Sequence, residues 1–224
     1  MNVIVLISAI GEWEAVKLLF PELKIEQSPY GDLTHLKLGA QNLKLYHSGW
    51  GKIASAAMMQ YVIDHDAPDL IVNLGTCGGF EGVVNQGDVI LVDRAFVYDI
   101  VELMGDLDIS TYYSSSVDLN WLAEPYPYPA RRGTIASADS DLPPDKIRFL
   151  KSKGALAADW ESAALAWVAQ KNQARLLILR GVSDMVSEQG GEAYDNIEIF
   201  KQRAKEIMKM LFDQLPGWLA AVKS

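Results

Sequence analysis

Apolar residues along this chain come in two rhythms. Runs made mostly of apolar residues occupy 3–7, 70–74, 87–92 and 176–182. Runs of this kind, bounded by Gly, Asp or Ser, are the pattern of strands buried on both faces. The second rhythm is helical. Residues 51–64 carry Ile53, Ala57, Met58, Tyr61 and Val62 at helical spacing. Residues 192–215 carry Ile197, Phe200, Ala204, Ile207, Leu211 and Leu215 on one face, with Pro216 as the expected stop. Shorter helices are predicted at 12–20, ended by Pro21, at 144–153 and at 160–170. Residues 33–38 and 43–47 read as strands, with Gly31-Asp32 and Gln41-Asn42 as turn signals. Two further strands are predicted at 134–137 and 155–158. Residues 105–130, rich in Tyr, Ser and Pro, read as a long irregular excursion.

Strands alternating with helices predict an α/β fold with a largely parallel, two-sided sheet. The 224 residues contain no repeat, low-complexity tract or linker, so one domain over residues 1–224 is expected. Met1–Ile7 lacks a basic flank and is too short to span a bilayer, so it reads as a first strand and not a leader. The net charge is −9, with no Lys/Arg stripe, which argues against nucleic acid as a partner. Cys77 is the one cysteine, so no internal disulfide is possible, and a cytoplasmic location is expected. His35, His47 and His65 lack metal-ligand spacing, and neither a dinucleotide fingerprint nor a P-loop is present. No metal and no cofactor are expected.

In open α/β sheets ligands bind beyond the carboxyl ends of the strands. Here those ends carry Ser8 with Glu12 and Glu14, then 48–52 (SGWGK), 73–79 (NLGTCGG), 159–162 (DWES) and Ser183-Asp184. Each alone has an ordinary reading. Ser183-Asp184 is a cap or turn, Glu161 a first-turn acid, and the glycines of 75–79 a turn. Their gathering at one sheet edge is what points to a site. The glycines then have a second reading, as backbone against which something must lie.

These blocks resemble the nucleoside phosphorylase and nucleosidase superfamily, in particular its 5′-methylthioadenosine/S-adenosylhomocysteine nucleosidase branch. The blocks 48–57 (SGWGKIASAA), 72–79 (VNLGTCGG), 158–164 (ADWESAA) and 180–184 (RGVSD) occur in family order, within a likeness spanning roughly 3–215. The resemblance implies a single-domain α/β/α sandwich and cleavage of the bond between a purine and ribose. It implies Asp184 as the acid at purine N7, aimed by Ser183, and a Glu that activates water, either Glu12 or Glu14. It implies Glu161 at the ribose hydroxyls, Trp160 under the sugar where Met is usual, and Thr76 where Ser is usual. Asp159, Gly78, Ser8 and Tyr98 complete the implied binding set, with Phe96 and Asp141 near the base. A ligand close to the backbone would then explain the glycines. Partners implied are a small purine nucleoside and water, with no membrane, in a homodimer.

A phosphorylase needs cations for a phosphate dianion. At the places where related phosphorylases carry Arg, this chain has Asn73 and the acidic stretch 11–14, so hydrolysis is expected. Arg180 stands where nucleosidases also tend to have Arg. The alternatives are a purine nucleoside phosphorylase and a non-catalytic nucleoside-binding or storage protein. Cys77 is expected to be a packed residue, and Lys52 to pair with an acid or reach across a dimer.

Overall fold

The apolar runs become the middle of one mixed sheet, seen in a computed structural model that describes residues 1–105, 109–194 and 196–223, without the side chains of residues 109 and 110. The first run is β1 (Val3–Ile7), fully buried, and it leads directly into α1 (Ile10–Leu19). The edge of the sheet is a meander of β2 (Glu26–Ser28), β3 (Gly31–Leu38) and β4 (Gln41–His47). Its turns fall at residues 29–30 and 39–40, so Gly31-Asp32 and Gln41-Asn42 begin strands and do not form the turns. α2 (Gly51–Asp66) returns the chain to β5 (Leu70–Phe80).

β5 corrects the first expectation. It does not end at Leu74; residues 75–79 continue as strand, and all but Gly78 are buried. The chain then forms β6 (Val89–Val97), α3 (Ile109–Tyr112), β7 (Ser114–Ser116) and β8 (Arg131–Ser137). A 3₁₀ turn at Pro144–Lys146 precedes α4 (Ile147–Ser152), followed by β9 (Ala155–Asp159) and α5 (Ser162–Asn172). β10 (Leu176–Ser187) and the short β11 (Gly190–Gly191) precede α6 (Ile197–Ala220). β10 also outruns its predicted end at 182. The stretch 109–130 is less irregular than expected, since β7 pairs with β6 and Val117, Leu119, Trp121 and Leu122 are buried.

The predicted last helix starts later and ends later than its pattern. Pro216 lies inside it, not after it. Proline removes one backbone donor, but Leu215, Trp218 and Leu219 are buried around it, and that packing holds the final turn helical.

The strand order is β11-β10-β6-β8-β9-β5-β1-β4-β3-β2, and β10 also pairs with β5. The five strands β10, β6, β8, β9 and β5 therefore close on one another, while β1 to β4 extend the sheet outward. Long β5 and β10 run parallel from Ile71↔Leu176 to Phe80↔Val186. Their glycines make this closeness possible. A Cβ on Gly79 would lie 2.5 Å from Val182 Cγ1, and one on Gly181 would lie 2.3 Å from Ile207 Cγ2. α1 and α6 pack together, as do α2 and α5. Among the described residues no helix is long and apolar enough to cross a membrane.

Candidate active site

Sheet register brings the strand ends together. Gly78 of β5 pairs with Ala158 of β9 and with Asp184 of β10. Ser137 of β8 pairs with Asp159. The β5–β10 register shifts between Val182 and Asp184, so Ser183 is the extra residue of a bulge. Bulges re-aim neighbouring side chains. A cavity of about 660 Å³ opens there, lined by Glu12, Thr76, Gly78, Tyr98, Asp141, Asp159, Trp160, Glu161, Ser183 and Asp184. Trp50, Tyr194, Ile197 and Phe200 close its other sides.

Glu12 is the third residue of α1, and its carboxylate turns back on the helix start. Oε2 accepts from the Ala9 N–H at 3.3 Å. Oε1 accepts from the Thr76 N–H at 2.6 Å and from Thr76 Oγ1 at 2.8 Å. Burial pushes this carboxyl above the usual range; the Arg180 charge and the Thr76 donors pull against it. Glu14 is on the exposed side of α1 and pairs with Lys17 at 2.6 Å. The structure thus separates the two candidates: Glu12 faces the cavity and Glu14 does not.

Glu161 precedes α5, and its Oε1 accepts from the Gly51 N–H at 3.1 Å. It therefore caps the first residue of α2, where the helix dipole favours an anion. Gly51 has φ +83°, and a Cβ there would stand 2.7 Å from Asp139 Oδ1, so only glycine fits. Burial drives the Glu161 carboxyl up to about 8; Arg180 opposes this, and the Asp159 and Glu12 charges add to it. Asp184 is 7% exposed and accepts from Ser183 Oγ at 2.7 Å. Burial raises its carboxyl too, with the Ser183 bond opposing. Burial pushes the Tyr194 phenol to about 12, with the Asp141 and Asp184 charges adding to the effect.

Beneath the cavity lies a cation. Arg180 is fully buried in β10, pairs with Asp159 through Nε at 2.9 Å, and approaches Glu161 at 3.8 Å. It explains Gly75. A Cβ on Gly75 would stand 1.9 Å from Arg180 Nη1 and 3.0 Å from each Glu12 oxygen. The same holds for Gly78, whose Cβ would lie 2.7 Å from Val186 Cγ2. The glycines of β5 make room for the protein's own side chains, which corrects the reading that a ligand requires them.

Other expectations fare unevenly. Ser8 is buried and bonded to Ser48 Oγ at 3.0 Å; it does not line the cavity. Phe96 belongs to the core, whereas Tyr98 reaches the cavity. Asp139 is outside the lining, where it holds Lys52 at 3.0 Å beside Asp99 at 2.6 Å. Lys52 thus has its acids within the chain. Cys77 is 4% exposed, and burial holds its thiol well above its usual range, as a packed residue should be. Asp159 lines the cavity, but the protein occupies both its carboxylate oxygens. Trp160 faces Trp50 with ring centroids 6.3 Å apart. Sequence reasoning missed Ser137 and Ser162 under the site and the cavity wall from Tyr194 to Phe200. A charge inside the apolar run of β10 was the available signal for Arg180's burial.

The profile of the family described as the Phosphorylase superfamily matches residues 3–215. The chain belongs to the phosphorylase superfamily. Within it, the chain is 26% identical over 175 residues to a 5′-methylthioadenosine/S-adenosylhomocysteine nucleosidase of Bacillus licheniformis, covering 72% of this chain and 75% of the relative. It is 27% identical over 199 residues to the enzyme of the same name from Anoxybacillus flavithermus, covering 80% and 83%. The crystal structure of Streptococcus pneumoniae MTA/SAH nucleosidase in complex with 8-aminoadenine superposes with a TM-score of 0.78. It is 20% identical and covers 99% of this chain and 100% of its own. This superfamily member thus has the fold of that nucleosidase, as the α/β/α expectation required.

Proposed function

We propose that this superfamily member is a purine nucleosidase that hydrolyses the N-glycosidic bond of an adenine-type nucleoside such as 5′-methylthioadenosine or S-adenosylhomocysteine. The curated relatives bear that activity in their names. The observation that carries the reading is the opposition of three buried carboxyls, Glu12, Glu161 and Asp184, across one cavity.

Each has a distinct task. Asp184, whose carboxyl burial raises, donates a proton at purine N7, so the base leaves neutral. Ser183 fixes the carboxyl by its hydrogen bond. Glu161 accepts from the ribose hydroxyls and offsets the positive charge that develops on the sugar. Glu12 takes the proton from the attacking water. Burial makes it a stronger base than a solvated carboxylate, and Thr76 orients it through two hydrogen bonds. The logic parallels two-carboxylate glycoside hydrolysis with nitrogen as the leaving atom. Trp160 packs against the sugar, and Tyr98 flanks the base.

Water is the co-substrate. Glu12, Asp141, Asp159, Glu161 and Asp184 line the cavity, and among the described residues no Lys or Arg does. Such a wall repels a phosphate dianion. The protein is further read as a homodimer. Ile53 (85% exposed), Leu103 (89%) and Met104 (97%) are exposed apolar side chains close in sequence to the paired Lys52 and Asp99, and a second copy would cover such side chains.

The test is a nucleoside panel, with and without phosphate, in which free base and sugar are followed by chromatography. Phosphate-independent release of base and free sugar is expected. Formation of a sugar 1-phosphate would replace the reading with phosphorolysis, and no release from any nucleoside would favour a binding role.

A further inference from the structure

Arg180 has one edge held by a hydrogen bond and the other with none among the described residues. Its Nε donates its one hydrogen to Ser162 Oγ at 3.0 Å and lies 2.9 Å from Asp159 Oδ2 in an ion pair. Ser162 Oγ donates in turn to Asp159 Oδ2, and Ser137 Oγ donates to Asp159 Oδ1. The Ser162 N–H, at 3.2 and 3.3 Å, completes the shell of that carboxylate. The far edge differs. Nη1 and Nη2 are buried and make no hydrogen bond within the protein. Nη2 lies 3.8 Å from Glu161 Oε2, and Nη1 lies beside bare Gly75, across which stand the Glu12 oxygens.

This arrangement has a specific consequence. Arg180 is not among the residues that line the cavity. Yet it is a full positive charge buried among the carboxyls of Asp159, Glu161 and Glu12, with Cys77 of β5 nearby. Where its guanidinium stands decides how that charge is divided between Glu12 and Glu161. Arginine's planar fork suits such a fixed location better than a flexible ammonium. Buried unpaired donors are rarely kept without a use.

We propose that Asp159 and Ser162 are positioning residues: they clamp Arg180 by its Nε edge so that its free edge is aimed between Glu12 and Glu161. The inference rests on the nucleosidase reading for its rate arm only. Asp159 thereby acts through Arg180, not on the sugar. Ser137 holds the outer oxygen of Asp159 and completes the clamp.

Two variants test this. Asp159→Asn leaves Ser162 Oγ as the acceptor for Nε but removes a negative charge, so Glu161 and Glu12 face a more positive surrounding. Both should titrate at lower pH, read from side-chain carboxyl ¹³C signals assigned by comparison with Glu12→Gln and Glu161→Gln. A shift of about one pH unit in Glu161 is expected, a scale typical of a neighbouring charge. The acid limb of the pH–rate profile should move the same way, and Asp159→Glu should restore it. Ser162→Ala changes no charge. It should lower kcat by about five- to tenfold, an effect within the range of misplaced catalytic groups, with KM within about twofold of the parent and near-parental melting. Unmoved carboxyl titrations in Asp159→Asn, or parental kcat in Ser162→Ala, would reduce the clamp to a packing feature. If Asp159→Asn fails to fold, Ser162→Ala decides through kcat and its own Glu161 titration. If the parent cleaves no nucleoside, the nucleosidase reading falls, while the carboxyl titrations still decide the clamp.

Discussion

Gly75→Ala isolates the charge cluster by a single methyl group. The added Cβ would stand 1.9 Å from Arg180 Nη1 and 3.0 Å from both Glu12 oxygens. β5 is buried between β1, β9 and β10 and has no slack. The guanidinium must therefore move. If it stays paired, the cost is that of overpacking, about 1–3 kcal/mol. If it leaves Asp159 and Glu161, uncompensated buried charge raises the loss to about 3–5 kcal/mol. For a chain of this length that corresponds to a melting decrease of very roughly 10 °C. Gly79→Ala is the matched comparison. Its Cβ would meet Val182 Cγ1 at 2.5 Å and Val84 Cγ2 at 2.7 Å, apolar neighbours away from Arg180. Both variants should melt lower in calorimetry. Assayed well below either midpoint, only Gly75→Ala should lose kcat, by tenfold or more if Glu12 is displaced from its water. Equal kcat in the two variants would refute the claim that Gly75 is there for Arg180 and Glu12.

Asp184→Asn removes the proton donor and should cut kcat by about 10²–10⁴-fold, the usual range for general acid catalysis; retention of parental turnover would dismiss the leaving-group role. Glu161→Gln should lower kcat/KM in the same assay, because the sugar charge loses its counter-ion, and a full rate would dismiss that role. Glu14→Gln, on the exposed side of α1, should leave both turnover and melting unchanged, within about 0.5 kcal/mol; a large rate loss would reinstate Glu14. Ligand-free stability should fall as pH rises. Glu161 is held at about 8 against an ordinary 4.5, and Glu12 and Asp184 are raised as well, so the folded state binds more protons than the unfolded one between those values. Melting at pH 5.5 should exceed that at pH 8.5, and Glu161→Gln should flatten the difference; a midpoint that rises with pH would contradict the burial of these acids.

The alternation of apolar runs and helical faces was enough to read the α/β class, because each run is a strand covered on both sides. Strand ends were misread for a physical reason. Glycines at 75, 78 and 79 look like a loop when only local propensity counts, yet here they are strand positions emptied so that β10 and its Arg180 can come close. The same blindness ended the last helix too early. Pro216 is a stop in a solvated helix but not in one whose next turn buries Trp218. Among the residues that line the cavity, Glu161 and Trp160 follow β9, whereas Thr76 and Asp184 follow only the predicted strand ends and lie within β5 and β10. Ser8 also follows a strand but turns into the Ser48–Ser55 cluster, which no local pattern could reveal. Glu12 and Glu14 were separable only once the phase of α1 was known. Ser162 stayed hidden because its role depends on a partner in another strand.

The acidity of the cavity bears on more than the choice of water. Among the described residues five acidic side chains line it, and the buried cation beneath it, Arg180, is already paired with Asp159. In the ligand-free site burial raises the carboxyls of Glu161, to about 8, and of Asp184; positive charge developing on the sugar then favours the ionised form of Glu161, while the proposed chemistry requires the proton of Asp184. A nucleoside without phosphate adds no negative charge, and its sugar gains positive charge as the bond breaks. The surroundings therefore stabilise the charge that develops more than the ground state, which is the condition for faster chemistry and not merely tighter binding. A phosphate co-substrate would reverse this, bringing a dianion against Glu12 before any cation has formed. Adding phosphate should accordingly leave base release unchanged or slow it through competition. If phosphate accelerates release instead, Arg180 must swing from its clamp into the cavity, and the arrangement beneath the sheet would have to be that of a resting state.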